Sequence, residues 1–370
     1  MMYCRNIIAH AFKHAQIFAR SNLIITNIYR LNSRKNALIM CLPQIHEIQM
    51  NCNKFHEQRK TARTKFVVIS GTFLFTLFGF GDDDDDEEKD AVLQLETTIK
   101  RSILLIQKKE YKKAEQMLHV ALRQAQLLQH YDGITYVYDV MANLAFKLDQ
   151  FNKAEKLFVS VLQRLMSKGM TEDDLAVVHI SLKLANMYSR TGEIKKAENG
   201  FQFCLQQLQK HMAKDNENPD VLQLVGLASE WYGSLLLSES RYIDALKYLT
   251  EAYNIAIKIL GEEDEQTVIL LNDLGTVKCM MKEYDQAIEY ITEAIKIGAE
   301  LPDMIDIGSI YVNLGNVYLE KGLYKEAKKN CTEGKRLGKS QNHDKSVDVA
   351  EKCLERIKEI MSQQKSKNNN

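Results

Sequence analysis

Tyr284 to Ala294 reads YDQAIEYITEA, and the spacing inside it decides the fold. An aromatic residue (Tyr284) stands three residues before Ala287, a large apolar residue (Ile291) follows four later, and a small one (Ala294) three after that. These intervals put all four side chains on one face of an α-helix. The same pattern returns as Tyr111/Ala114/Leu118/Ala121, Phe151/Ala154/Phe158/Val161, Ile194/Ala197/Phe201/Cys204, Tyr242/Ala245/Leu249/Ala252 and Tyr324/Ala327/Cys331/Gly334. Successive alanines lie 40, 43, 48, 42 and 40 residues apart. Twelve residues before five of them stands a second small residue, namely Ala142, Ala185, Gly233, Gly275 or Gly315; the first repeat has Ser102 there. Two small residues at that separation let paired antiparallel helices approach closely, while the large residue fills the gap to the next pair.

The 3 prolines and 17 glycines in 370 residues leave few breakers, which suits long helices and argues against many short strands. His211 to Val221, containing Pro219, is expected to be the long inter-helix loop. Ser346 to Met361 is amphipathic and suits the cap that ends a stacked array. The pattern resembles the tetratricopeptide repeat, with units longer than the usual 34 residues, as in kinesin-light-chain-like arrays. The expected fold is an all-α tetratricopeptide-repeat superhelical solenoid of about six long hairpins.

The amino-terminal end has a different character. Residues 1–65 hold 11 Lys/Arg against 2 Asp/Glu, and Met1 to His46 contains no acid at all. Basic, acid-free, amphipathic sequence is the composition of a mitochondrial transit peptide, and recurring Arg and Lys break the apolar run that a secretory signal needs. Phe66 to Phe80 (FVVISGTFLFTLFGF) carries no charge and follows Arg59, Lys60, Arg63 and Lys65. As a helix it would reach roughly 22 Å, a marginal span for a hydrocarbon core of roughly 30 Å. A single membrane anchor is expected. Asp82 to Glu88 (DDDDDEE) is expected to be an extended, solvated spacer. The expected division is therefore a leader over 1–58, an anchor over 59–81, an acidic spacer over 82–90, the repeats over 91–342 and a cap with polar tail over 343–370. The basic flank before the span places the repeats on the intermembrane-space side, with a matrix-facing array as the alternative.

The chemistry-bearing motifs of enzymes do not assemble. Gly338-Lys339-Ser340 lacks the glycine that a phosphate loop requires five positions earlier, where Glu333 stands, and a helix precedes it in place of a strand. The nine histidines do not gather, His119 and His179 read as helix residues, and no zinc-ligand spacing exists. The seven cysteines (Cys4, Cys41, Cys52, Cys204, Cys279, Cys331 and Cys353) are odd in number and widely spaced, so a disulfide framework is not expected and the later ones read as buried apolar residues. Asn330-Cys331-Thr332 is a glycosylation sequon by accident, and Trp231 beside Tyr232 reads as hairpin packing. No catalytic residue, cofactor or metal is expected. Nucleic acid is disfavoured, because residues beyond 65 carry a net charge of −9.

What remains is binding. Directly after the small residue of the first helices come Asn143, Asn186, Ser234, Thr276 and Asn316, a ladder able to pair with the backbone of an extended peptide. Phe146 and Lys147, then Ser189 and Arg190, follow on the same face and would add apolar contact and counter-charge.

Three stretches sharpen the resemblance: Ile134 to Phe146 (ITYVYDVMANLAF), Met170 to Met187 (MTEDDLAVVHISLKLANM) and Phe201 to Leu208 (FQFCLQQL). With the leader, span and acidic run, residues 91–360 resemble a mitochondrial branch of the tetratricopeptide repeat family. That resemblance implies anchoring in the inner membrane and support of respiratory complex III, with its Rieske iron–sulfur subunit or fragments as partner. The other reading, a cytosolic kinesin-light-chain-like scaffold for cargo peptides, has to treat residues 1–81 as incidental.

Overall fold

The structure is a computed structural model that describes residues 86–301, 304 and 307–368. The leader, the Phe66 to Phe80 stretch and Asp82 to Asp85 lie outside the described residues. Thirteen helices and no strand are present among those described. In chain order they are α1 (Asp86–Gln107), α2 (Tyr111–Leu127), α3 (Tyr131–Lys147), α4 (Phe151–Ser167), α5 (Leu175–Thr191), α6 (Ile194–Lys214), α7 (Pro219–Ser238), α8 (Tyr242–Leu260), α9 (Glu265–Met280), α10 (Tyr284–Glu300), α11 (Ile307–Glu320), α12 (Tyr324–Ser340) and α13 (Asp344–Asn368).

Twelve helices form six hairpins, and each second helix also packs on the first helix of the next hairpin. Within the first layer α1 meets α3, α5 meets α7 and α9 meets α11. The repeat positions explain this stacking. Ala114, Ala154, Ala197, Ala245, Ala287 and Ala327 are all fully buried, as are Leu118, Phe158, Phe201, Leu249, Ile291 and Cys331. A Cβ built on Gly275 would stand 2.4 Å from Ile291 Cγ1 and 3.1 Å from the Ala287 carbonyl, so only glycine admits this crossing. Gly315 stands in the same relation to Cys331, at 2.4 Å from its Sγ. Ser102, the odd small residue of the first repeat, is buried with its hydroxyl donating to the Thr98 carbonyl at 2.8 Å.

The turns account for the scarcity of glycine. Lys109, Gln129, Asp149, Ser240, Lys282 and Asn342 adopt positive φ between 51° and 65°, the left-handed conformation that ends a helix. The residue after each donates back five positions, as in Glu283 N to Lys278 O at 2.9 Å and Gln150 N to Ala145 O at 2.9 Å. A single residue of this kind reverses the chain without a long loop.

Three expectations need correction. The His211 to Val221 loop contracts to four residues, because α6 runs on to Lys214 and Pro219 opens α7. Asn218 caps that helix, accepting from Asp220 N at 3.0 Å and Val221 N at 3.2 Å, and proline is tolerated at a first helical position that has no hydrogen-bond acceptor to lose. The acidic run is not wholly extended: Asp86 to Glu88 form the first turn of α1. Finally, Cys331 of α12 and Cys353 of α13 form a disulfide across a Cα separation of 6.3 Å, so those two cysteines are not simply buried hydrophobes. Cys204 is a buried free thiol, pushed up in pKa by burial, and Cys279 is half-buried and pushed up to about 12 by burial and by Glu320.

Candidate peptide-binding face

The first helix of each hairpin forms the inner layer of a solenoid, and it is unusually rich in buried polar groups. Asp139 on α3 and Lys183 on α5 are 1 % and 5 % exposed, and the Lys183 ammonium donates to both carboxylate oxygens at 2.9 and 3.0 Å. Between α7 and α9, Gln266 Nε2 donates to Glu230 Oε2 at 2.8 Å. Between α9 and α11, Asn313 Nδ2 donates to Asn272 Oδ1 at 2.9 Å. Ser309 and Ser346 carry the series to α13 at 2.7 Å. Sequence reasoning missed this series. Its signal was there: a charged or amide residue two or three positions before the small residue, inside an otherwise apolar helix.

The ladder of expected contact residues follows these positions by one turn. Asn143 is half-buried and its Nδ2 donates to the Asp139 carbonyl at 2.8 Å, which leaves the carboxamide oxygen as its acceptor. Ser234 and Thr276 are 3 % and 8 % exposed, and their hydroxyls donate within their own helices, to Glu230 O at 2.7 Å and Asn272 O at 3.0 Å. The protons of both hydroxyls are committed to their own helices. Asn186 is buried and Asn316 half-buried.

Three further residues gather at the hairpin ends. The Arg190 guanidinium lies 4.5 Å from the Phe146 ring centroid and 5.3 Å from that of Phe151, and it pairs with Asp149. Phe146 and Phe151 meet edge to face at 6.1 Å. Lys147 sits 5.6 Å from the Tyr111 ring centroid, and burial, then the charge of Lys109, lowers its pKa. Arg190, Phe146 and Lys147 therefore tie successive hairpins together at the same edge where a ligand would find an aromatic surface and positive charge.

Among the described residues no group of His, Cys, Asp and Glu has metal-binding geometry, and no helix is long and apolar enough to cross a membrane. His179 is fully buried on α5, and burial, with Lys183 adding to it, holds its pKa well below the ordinary value of 6.5. Trp231, 6 % exposed, belongs to the core that joins α5 to α9.

Stacked hairpins with small residues at the crossings and an inner polar layer define a tetratricopeptide-repeat protein. Family models described as tetratricopeptide repeat match residues 224–300 and 308–337. Solved structures agree on the fold: a signal transduction ATPase with a tetratricopeptide repeat sensor from Pyrococcus horikoshii superposes with a TM-score of 0.52 at 17 % identity over 73 % of this chain and 43 % of that one. A Rap protein complexed with competence and sporulation factor gives 0.51 at 15 % identity over 74 % and 77 %. The chain belongs to the mitochondrial tetratricopeptide repeat protein 19 family. It is 40 % identical to the Drosophila melanogaster homologue over 81 % of this chain and 80 % of that protein. The Homo sapiens protein is 31 % identical over 70 % of each, and the Danio rerio protein 33 % over 68 % of this chain and 64 % of its own.

Proposed function

We propose that this protein is a non-enzymatic assembly and maintenance factor of the mitochondrial inner membrane, holding a subunit or peptide of respiratory complex III in the groove of its repeats. The observation that carries the reading is the pair of half-buried carboxamides Asn143 and Asn316, at the two ends of an uncharged ladder whose middle members Asn186, Ser234 and Thr276 are buried, all set one position beyond the residues where the hairpins cross. Carboxamide and hydroxyl oxygens accept from any peptide backbone, so such a face holds an extended segment with little regard to its sequence. Fragments of a processed subunit, such as those of the Rieske protein, are ligands of that kind. Membership in a family whose relatives are named mitochondrial supports the compartment. The acid-free leader and the uncharged Phe66 to Phe80 stretch support import and a single anchor.

The test is proximity labelling from a carboxy-terminal tag, combined with protease treatment of mitoplasts. Labelled complex III subunits, and repeats digested once the outer membrane is ruptured, support the reading with an intermembrane-space array. Repeats that survive while known intermembrane-space proteins are destroyed turn the array toward the matrix. Labelling confined to cytosolic proteins, or targeting unaltered by deletion of residues 2–46, contradicts the reading.

A further inference from the structure

The repeat pattern dictates one face of α12 and leaves the opposite one free. Ala327, Cys331, Gly334 and Gly338 are buried. At 100° per residue they centre roughly opposite Lys325, Lys328, Lys329, Thr332, Arg336 and Lys339, which fall within an arc of about 100°. All six of these residues are exposed. Of the five cations only Arg336 has a carboxylate partner among the described residues, Glu333 at 2.6 Å. Packing does not require this stripe. One repeat earlier, positions 40 residues before on α10 read Asp285, Glu289, Thr292, Lys296 and Ala299 in place of Lys325, Lys329, Thr332, Arg336 and Lys339. The concentration extends to the whole end of the array: residues 82–320 hold 25 basic and 40 acidic residues, residues 321–370 hold 13 and 7.

We infer that the outer face of α12 is a docking surface for an anionic phospholipid bilayer, which the carboxy-terminal end of the array meets by charge alone. The composition of the stripe selects that partner. Protein interfaces are built around aromatic and large apolar anchors and are depleted in lysine, whereas four of the five cations here are lysines and no apolar side chain lies among them. Single-stranded nucleic acid would want aromatic platforms between the cations, and the arc has none. A bilayer of anionic lipid asks only for several mobile cations on one face within a Debye length of its surface. The contact lies on the side of the hairpins away from the candidate peptide-binding face.

The full chain is treated with an amine-acetylating reagent in the presence of phosphatidylcholine vesicles, with and without cardiolipin, and lysine modification is read by mass spectrometry. Acetylation of Lys325, Lys328, Lys329 and Lys339 is expected to fall about tenfold with cardiolipin only and to recover in high salt, while exposed Lys247 and Lys296 stay unchanged. The K325E/K329E/K339E variant, whose circular dichroism should match the parent because all three positions are exposed, should lose the cardiolipin-dependent protection of Lys328. Equal modification with neutral and anionic vesicles overturns the inference. So does protection by polyuridylate at matched phosphate concentration as strong as that by cardiolipin, which would assign the stripe to nucleic acid.

Discussion

Lys183 and Asp139 stand 44 residues apart in the chain and face each other across two neighbouring inner helices, both almost wholly removed from water. Neither charge is tolerable there without the other. Lys183→Met or Asp139→Leu alone should cost about 3–5 kcal/mol in urea unfolding, whereas the double replacement should recover most of that loss. Equal and additive costs for the two single variants would show that the pair is not coupled.

His179, one turn before Lys183, gives that same inner layer a pH dependence. Its folded-state pKa lies below the unfolded value of 6.5, so the unfolded chain binds the proton more readily. Its contribution is complete above pH 6.5 and declines as the pH falls through that value, by up to about 1.4 kcal/mol per unit until the folded pKa is reached. His179→Gln should flatten the stability profile between pH 7 and pH 5 relative to the parent; an unchanged slope would assign the acid sensitivity elsewhere.

The crossings make a sharper demand. Gly275→Ala places a methyl 2.4 Å from Ile291 Cγ1 and 3.1 Å from a backbone carbonyl, and should destabilise by about 1–3 kcal/mol through overpacking. Gly322→Ala meets nothing within 4 Å and suffers only from its φ of +85°, about 1 kcal/mol. Ala154→Glu and Gly315→Leu should prevent the hairpin from closing at all. Melting temperatures rank the four, and a Gly275→Ala variant as stable as the parent would mean the helices cross further apart than described.

Reduction should loosen one end of the molecule. The Cys331–Cys353 disulfide spans 22 residues and joins the last hairpin to its cap, so Cys353→Ser or added dithiothreitol should cost roughly 3 kcal/mol of cap stability. Hydrogen exchange should accelerate in α13 and leave α3 to α6 unchanged. Alkylation of both cysteines in the unreduced native protein would show the bond to be absent.

Much of this architecture was written in local spacing, and the rest was not. Ala287, Ile291 and Gly275 can be read from sequence because each repeat needs the same residue size at the same register. The Lys183–Asp139 and Asn313–Asn272 bonds were hidden because each joins different repeats, and nothing local names the partner. The disulfide was hidden for a similar reason, since it depends on how α12 and α13 are rotated against each other. Pro219 misled in the opposite way: it reads as a break, and beside the Asn218 cap it is a beginning. At the candidate face, the register of Asn143, Asn186 and Asn316 after the small residue was legible, and the burial of Asn186 was not. The commitment of the Ser234 and Thr276 protons to their own helices, and of Arg190 to Phe146 and Asp149, was not.

The carboxamide ladder is the central contact of the proposed binding mode. Replacing the half-buried Asn143 and Asn316 together by alanine, confirming unchanged helicity and melting temperature, and recovering partners from detergent-solubilised inner membranes tests it. Each contact is worth about 1 kcal/mol net, so a single substitution should weaken binding only several-fold while the two together cost roughly thirtyfold. Complex III subunits should then be largely lost from the recovered material. Recovery as complete as with the parent protein would contradict the account and place the partner on another face of the array.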